Sequence, residues 1–188
     1  MTQIGHIRLG RRDVNRQPFI KDVVPLAQLE DIVCGGWDVF PDNSFQAAQK
    51  AGVLTVEQLR KVKDYLVSIK PMPAVFDRRF VKKLNGPNVK GGKTWWDKHL
   101  MLEEDIHKFK TSSKAKRLVM IWCGSTEVYL QQTKVHKTRE AFEKGLKTND
   151  ENISPSMVYA YTAIKNKIPY INGAPHLSTD IPALVDFA

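Results

Sequence analysis

The chain has 188 residues, 42% of them hydrophobic, and carries a formal net charge of +9. That apolar content is enough for one domain with a packed core and excludes wholesale disorder. No apolar run reaches the roughly 18–20 residues that cross a bilayer, and the first ten residues lack the apolar core of a signal peptide.

Residues 1–18 read as a basic, poorly patterned arm with Arg8, Arg11, Arg12 and Arg16. Phe19 to Val24 reads as a short extended segment leading to Pro25. Leu29 to Gly35 reads as a strand, with Asp31 against the pattern, and it runs into Gly36-Trp37-Asp38. Asp42 or Asn43 can cap a short helix through Phe45, Ala48 and Gln49 that Gly52 stops. Thr55 and Gln58 form a capping box for the clearest helix, Thr55 to Ile69, with Val56, Leu59, Val62, Leu66 and Ile69 as one apolar stripe. Residues 71–93 are rich in turn signals, notably Asn85-Gly86-Pro87 and Gly91-Gly92.

Thr94 and Asp97 give a second capping signature ahead of a helix through Leu100, Ile106 and Phe109. Arg117 to Trp122 is an apolar strand that empties into Cys123-Gly124-Ser125-Thr126. A loop to about Lys137 precedes a helix through Ala141 and Leu146. Ser154 is a natural N-cap and Pro155 suits the first helical position, so 154–166 reads as a helix with Met157, Tyr161 and Ile164 on one face. A strand over 169–173 ends at Asn172-Gly173, and a final amphipathic helix begins near Ile181 and is unfinished at the chain end.

Strands alternating with helical crossovers predict an α/β architecture with a mainly parallel sheet. Three strands end in glycine or small residues, and ligands of open α/β sheets sit at the carboxyl ends of strands, which points to one nucleotide crevice. Asp38 reads either as an acceptor for both hydroxyls of an adenosine ribose or as the N-cap of the following helix. Ser125 and Thr126 read as cofactor contacts or as plain turn residues, and Gly173 with Ala174 as a close backbone approach or a tight turn.

Other chemistries are unsupported. His6, His99, His107, His136 and His176 are scattered, with no cysteine or carboxylate set to complete a metal site. Ser125 has no base partner and no G-x-S-x-G elbow. Glu103, Glu104 and Asp105 lie on a lysine-rich helix and read as a solvated face. Lysines such as Lys82, Lys83, Lys90 and Lys93 lack interleaved stacking aromatics, so solvated surface is favoured over a nucleic-acid partner. Cys34 and Cys123 sit in apolar strand patterns and read as buried free thiols.

Three segments carry a resemblance: Asp31-Ile32-Val33-Cys34-Gly35-Gly36-Trp37-Asp38, then Trp122-Cys123-Gly124-Ser125-Thr126-Glu127, then Ile153-Ser154-Pro155-Ser156 with Pro169-Tyr170-Ile171-Asn172-Gly173-Ala174-Pro175. In order and spacing, and together with Asp105 to Lys110, they resemble the myo-inositol-1-phosphate synthase (inositol-3-phosphate synthase) family over about residues 20 to 188. The resemblance implies a Rossmann-like, mainly parallel sheet with helices on both faces, incomplete at both ends: a 1–18 arm and a partial NAD-binding domain over 19–188.

It implies NAD as cofactor, glucose 6-phosphate as substrate, a cytoplasmic enzyme and a homo-tetramer at full length, with no membrane or nucleic-acid partner. Its activity would be NAD-dependent isomerisation to 1D-myo-inositol 3-phosphate through oxidation, enolisation, aldol closure and re-reduction. By position, Asp38 matches the family's ribose-binding aspartate. Cys123, Gly124, Ser125 and Thr126 match its cofactor loop, and Gly173 with Ala174 its glycine–serine pair. The family's opening strand and glycine-rich turn have no counterpart in residues 1–18, and its catalytic lysines lie beyond the equivalent of Ala188. No catalytic or metal residue is therefore assigned, and Lys165 and Lys167 read as exposed. The expectation is a central fragment, aggregation-prone and inactive alone; the alternatives are a non-catalytic nucleotide-binding module and, from another class, a basic nucleic-acid-binding protein.

Overall fold

The structure is a computed structural model that describes residues 18–188. The arm expected over 1–18 lies outside the described residues except for its last position. The chain divides into two compact units, one ending at Cys34 and the other spanning Gly35–Ala188.

The described part of the first unit differs from expectation. Phe19 to Val24 is not extended: helix α1 (Ile20–Val23) forms a single turn, and the Asp22 carboxylate accepts the Phe19 N–H at 3.1 Å. Leu29 to Gly35 is not a strand; Leu29–Asp31 is a 3-10 turn, and no ladder partner among the described residues pairs with this segment. An apolar pattern becomes a strand only where another strand satisfies its N–H and C=O groups. Cys34 is accordingly exposed, against the expectation of a buried thiol.

The second unit opens with β1 (Trp37–Asp38), paired in parallel with β2 (Met72–Pro73). Two helices cross between them. In α2 (Ser44–Ala51), Asn43 accepts the Gln46 N–H at 2.9 Å and Gly52 closes the end with φ +63°. In α3 (Val56–Ser68), the Thr55–Gln58 capping box forms as the sequence predicts. Within the turn-rich 71–93 segment, β2 and a parallel bridge between Ala74 and Val89 appear where only loop was expected.

Next comes α4 (Trp95–Ser113), capped by Thr94 and Asp97. β3 (Met120–Trp122) follows, then α5 (Arg139–Thr148) and α6 (Pro155–Lys165). β4 (Tyr170–Asn172) pairs with β3 in parallel, Trp122 facing Asn172, and α7 (Pro182–Val185) is a single turn. The strand pairs are parallel and reached by helical crossovers, so the α/β Rossmann-like class holds. Among the described residues they form two separate two-stranded sheets, not one.

The core lies between α4, α5, α6 and α7. Trp95 and Leu102 of α4, Phe142 and Leu146 of α5, Met157 and Tyr161 of α6, and Leu184 of α7 are all fully or nearly fully buried. Tyr161 organises them, with ring centroids 5.7 Å from Phe142 and 5.6 Å from Phe187. α6 was expected to bury one face; it is buried all round from Pro155 to Ala163.

Candidate functional site

β1 and β3 each pair on one side only, which leaves each with one edge without a ladder partner among the described residues. Consecutive residues of both segments, Gly35–Phe40 and Leu118–Ser125, line one cleft of about 420 Å³. Neighbouring strand residues point to opposite faces of a sheet, so an unbroken run of lining residues means that the strands meet the cleft edge-on. The inner lining is apolar, with Ala74, Ile106, Phe109 and Tyr159 among it. Small and polar groups gather at Asp38 and at Cys123–Ser125.

Two part-buried contacts hold the Asp38 end in place. The Trp37 indole N–H donates to Asp105 at 2.7 Å, and the Lys90 ammonium meets the same carboxylate oxygen at 2.5 Å with its side chain 4% exposed. Asp105 and Lys90 therefore form an internal strut between β1 and α4, not the solvated charges expected of them. Asp38 itself is exposed. Its Oδ1 accepts the Phe40 N–H at 2.9 Å, its carbonyl accepts from Asn88 at 2.9 Å, and its Oδ2 has no partner among the described residues. The following helix is capped by Asn43, so the N-cap reading of Asp38 falls away.

Cys123, Gly124 and Ser125 lie just past the last ladder residue of β3, exposed and on the cleft. Cys123 is thus not the buried thiol expected: the apolar pattern stops at Trp122, and the next residue is outside the ladder. Thr126 is exposed and next in line but does not line the cleft. The N–H groups of Gly124, Ser125 and Thr126 make no hydrogen bond to the described residues. Gly173 and Ala174 are different. The Gly173 N–H donates to the Trp122 carbonyl at 2.9 Å, and a Cβ there would lie 2.9 Å from the same oxygen. The Ala174 N–H donates to the Asn172 side chain at 3.0 Å. Both donors are spent within the chain, and neither residue lines the cleft.

One residue of this site had no role in the sequence reading. Glu127 lines the cleft at 3% exposure and accepts the Ser156 N–H at 3.0 Å and the Ser156 hydroxyl at 2.6 Å. Its own N–H donates to Nδ1 of buried His176 at 3.1 Å. Burial pushes the Glu127 carboxyl up, against the pull of the Ser154 and Ser156 hydroxyls, and burial pushes His176 down. The available signal was a carboxylate closing a small-residue loop, with a serine-flanked helix start further along.

A second polar cluster lies away from the cleft. His99 is fully buried, with Nδ1 2.8 Å from the Thr162 hydroxyl. The hydroxyl donates to the Val158 carbonyl at 2.7 Å, which makes Nδ1 the protonated nitrogen and leaves Nε2 to accept from Lys165 at 3.0 Å. Lys165 also faces Glu103 at 3.5 Å, so Lys165 is half-buried and partnered; Lys167 is exposed as expected. Among the described residues no group of three or more His, Cys, Asp or Glu could hold a metal, and no helix is long and apolar enough to cross a membrane.

Parallel strand pairs, helical crossovers and small-residue strand ends on one cleft define a domain of the α/β nucleotide-binding class. A model of the NAD-binding domain, described as myo-inositol-1-phosphate synthase, matches residues 1–188, and the chain belongs to that family. It is 46% identical over 189 residues to inositol-3-phosphate synthase 1 of Bacteroides thetaiotaomicron, covering all of this chain and 43% of that protein. It is 32% identical over 195 residues to inositol-3-phosphate synthase of Citrus paradisi, covering 38% of it. Its fold matches the crystal structure of inositol-3-phosphate synthase from Caenorhabditis elegans with a TM-score of 0.88 at 26% identity, over all of this chain and 38% of that one. The chain thus spans about two-fifths of the length of these relatives.

Proposed function

We propose that this chain supplies the cofactor-holding part of an inositol-3-phosphate synthase, whose whole activity converts glucose 6-phosphate to 1D-myo-inositol 3-phosphate. The observation that carries the reading is the meeting of a partly unpaired carboxylate, Asp38, and the unbonded N–H groups after β3 around one cleft. These residue types fit NAD. A carboxylate beyond a strand accepts ribose hydroxyls, and free backbone donors in a loop without bulky side chains suit phosphate or amide oxygens. Asp38 would hold the ribose, and Cys123, Gly124, Ser125 and Thr126 would line the cofactor. Gly173 and Ala174 would act by keeping the neighbouring strand end close and small, since their own donors are spent. When bound, NAD supplies a reversible oxidation of the sugar, so the conversion has no net redox change.

The apolar inner cleft supports a companion reading. Two parallel edges without partners, facing each other across apolar side chains, have the chemistry of a seat for one further strand. On this reading NAD occupies only the polar mouth, and synthase activity, the homo-tetramer and the cytoplasmic setting belong to a longer protein.

Calorimetric titration of the 188-residue chain with NAD tests the proposal. Saturable binding is expected, weakened about tenfold by Asp38→Ala, the worth of a charged hydrogen bond. Binding that Asp38→Ala leaves unchanged overturns the assignment of Asp38, and no saturable binding overturns the cofactor reading for this chain.

A further inference from the structure

The first turn of a helix presents unpaired N–H groups and attracts anions, which makes α6 an obvious seat for a phosphate. In this chain the seat is already taken. Glu127 Oε1 holds the Ser156 N–H at 3.0 Å, Oε2 holds its hydroxyl at 2.6 Å, and the Ser154 hydroxyl lies 3.0 Å from that of Ser156. Ser154 stands at the N-cap position, yet its side chain makes no capping bond, because the carboxylate from a distant loop does that work.

The anchor is reinforced from its other side. The Glu127 N–H donates to His176 Nδ1, so the neutral imidazole carries its proton on Nε2. That nitrogen is buried without a hydrogen-bond partner among the described residues, 3.6 Å from Glu127 Oε2. His176 is itself tied to β4, since its carbonyl accepts from the Asn172 side chain at 2.9 Å and its ring packs edge-on to Trp122 at 5.7 Å. The four residues 123–126 therefore hang between two fixed points, the Trp122 ladder and the buried Glu127.

Building on the cofactor reading above, we propose that Glu127 is a positioning residue for NAD: clamped on the first turn of α6, it holds the 123–126 loop at the cleft mouth and denies that helix end to the cofactor's phosphates. The loop's free N–H groups are then the polar contacts left on this side of the cleft. A carboxylate that merely filled space would show no link between loop order and ligand affinity; this one links them.

The experiment uses the full 188-residue chain and three variants, Glu127→Gln, Glu127→Ala and Ser156→Ala. Amide exchange is followed without ligand, and NAD is titrated separately. Gln keeps an acceptor for the Ser156 N–H and loses the anionic one. Exchange at the bonded amides of the clamp, those of residues 127 and 156, should therefore accelerate about tenfold in Glu127→Gln and more in Glu127→Ala, with α4 and α5 amides unchanged. NAD affinity should fall in the same order, and Ser156→Ala should resemble Glu127→Gln. Should Glu127→Ala fail to fold, Glu127→Gln and Ser156→Ala carry the test. Wild-type exchange in both of them, or a loosened loop with undiminished NAD affinity, overturns the proposal. A wild-type chain that does not bind NAD overturns the cofactor reading; loop exchange in the variants then still decides whether the clamp exists.

Discussion

Helices α3 and α6 show how differently two well-marked helices of one unit can be used. Thirteen residues form α3, and only Leu59 among them is buried; eleven form α6, and nine of those are buried. The more conspicuous apolar stripe belongs to α3, yet that helix packs against α2 while Val56, Val62, Tyr65 and Val67 remain exposed. α6 packs against α4, α7 and β4 and has neighbours all round. Periodicity shows that a helix has a preferred face; it does not show how much of the protein waits there to cover it.

Core truncations separate the two regions most sharply. Phe142 is fully buried against Tyr161 of α6, so Phe142→Ala should cost about 3–5 kcal/mol. Leu59→Ala, on the thinly covered α3, should cost clearly less, about 1–2 kcal/mol, because an open site relaxes and refills with water more easily. Urea denaturation of both variants measures the gap. Equal losses would mean that α3 is as well packed as α6.

Acid should act on the α4–α6 side. Burial, partly offset by Glu103 and reinforced by Lys165, lowers His99 from 6.5 to about 4. Between those values the unfolded chain binds a proton that the folded chain refuses, so stability is full above about pH 6.5 and declines as pH falls toward 4. The loss should reach roughly 3–4 kcal/mol at most. His99→Gln should flatten that part of the stability–pH curve. An unchanged slope would show that His99 is not the titrating group.

Which parts of this were legible beforehand follows from the range of each signal. Caps are local, so Asn43, Thr55 and Thr94 marked the starts of α2, α3 and α4 correctly. Strands need a partner, so Leu29 to Gly35 carried the right residue types and still formed no strand, only a 3-10 turn over Leu29–Asp31, while Met72–Pro73 paired despite its proline. The small-residue strand ends were readable, and three of the singled-out residues, Cys123, Gly124 and Ser125, do join Asp38 on one cleft. Glu127 was not readable as an anchor, nor Asp105 as the partner of a buried lysine. An acidic side chain gives no local sign of whether water or Ser156 and Lys90 will meet it.

The helix caps give a control in which the two regions should agree. Thr94 accepts the Asp97 N–H at 3.0 Å on α4, which packs on α6, and Thr55 accepts the Gln58 N–H at 3.2 Å on the exposed α3. Because the capping bond is local and partly solvated at both sites, each Thr→Ala change should cost about 1 kcal/mol whatever the helix packs against. Thermal melts of the two variants measure it. A much larger loss at Thr94 would mean that its cap also supports the neighbouring Asn149 contacts to Trp95 and Lys93, at 2.8 and 2.5 Å.

The smallest stability effect belongs to the uncovered face of α3, and it sharpens the comparison because a second readout should move instead. Val56 is 67% exposed and Tyr65 56% exposed, so replacing them with Ser and Gln removes little buried area and should change stability by no more than about 0.5 kcal/mol. Exposed apolar side chains nonetheless favour association. Sedimentation of the double variant should show less concentration-dependent self-association than the parent at an almost unchanged melting temperature. If stability falls as it does for Phe142→Ala, α3 is covered in solution by something the isolated chain provides, and its contrast with α6 disappears.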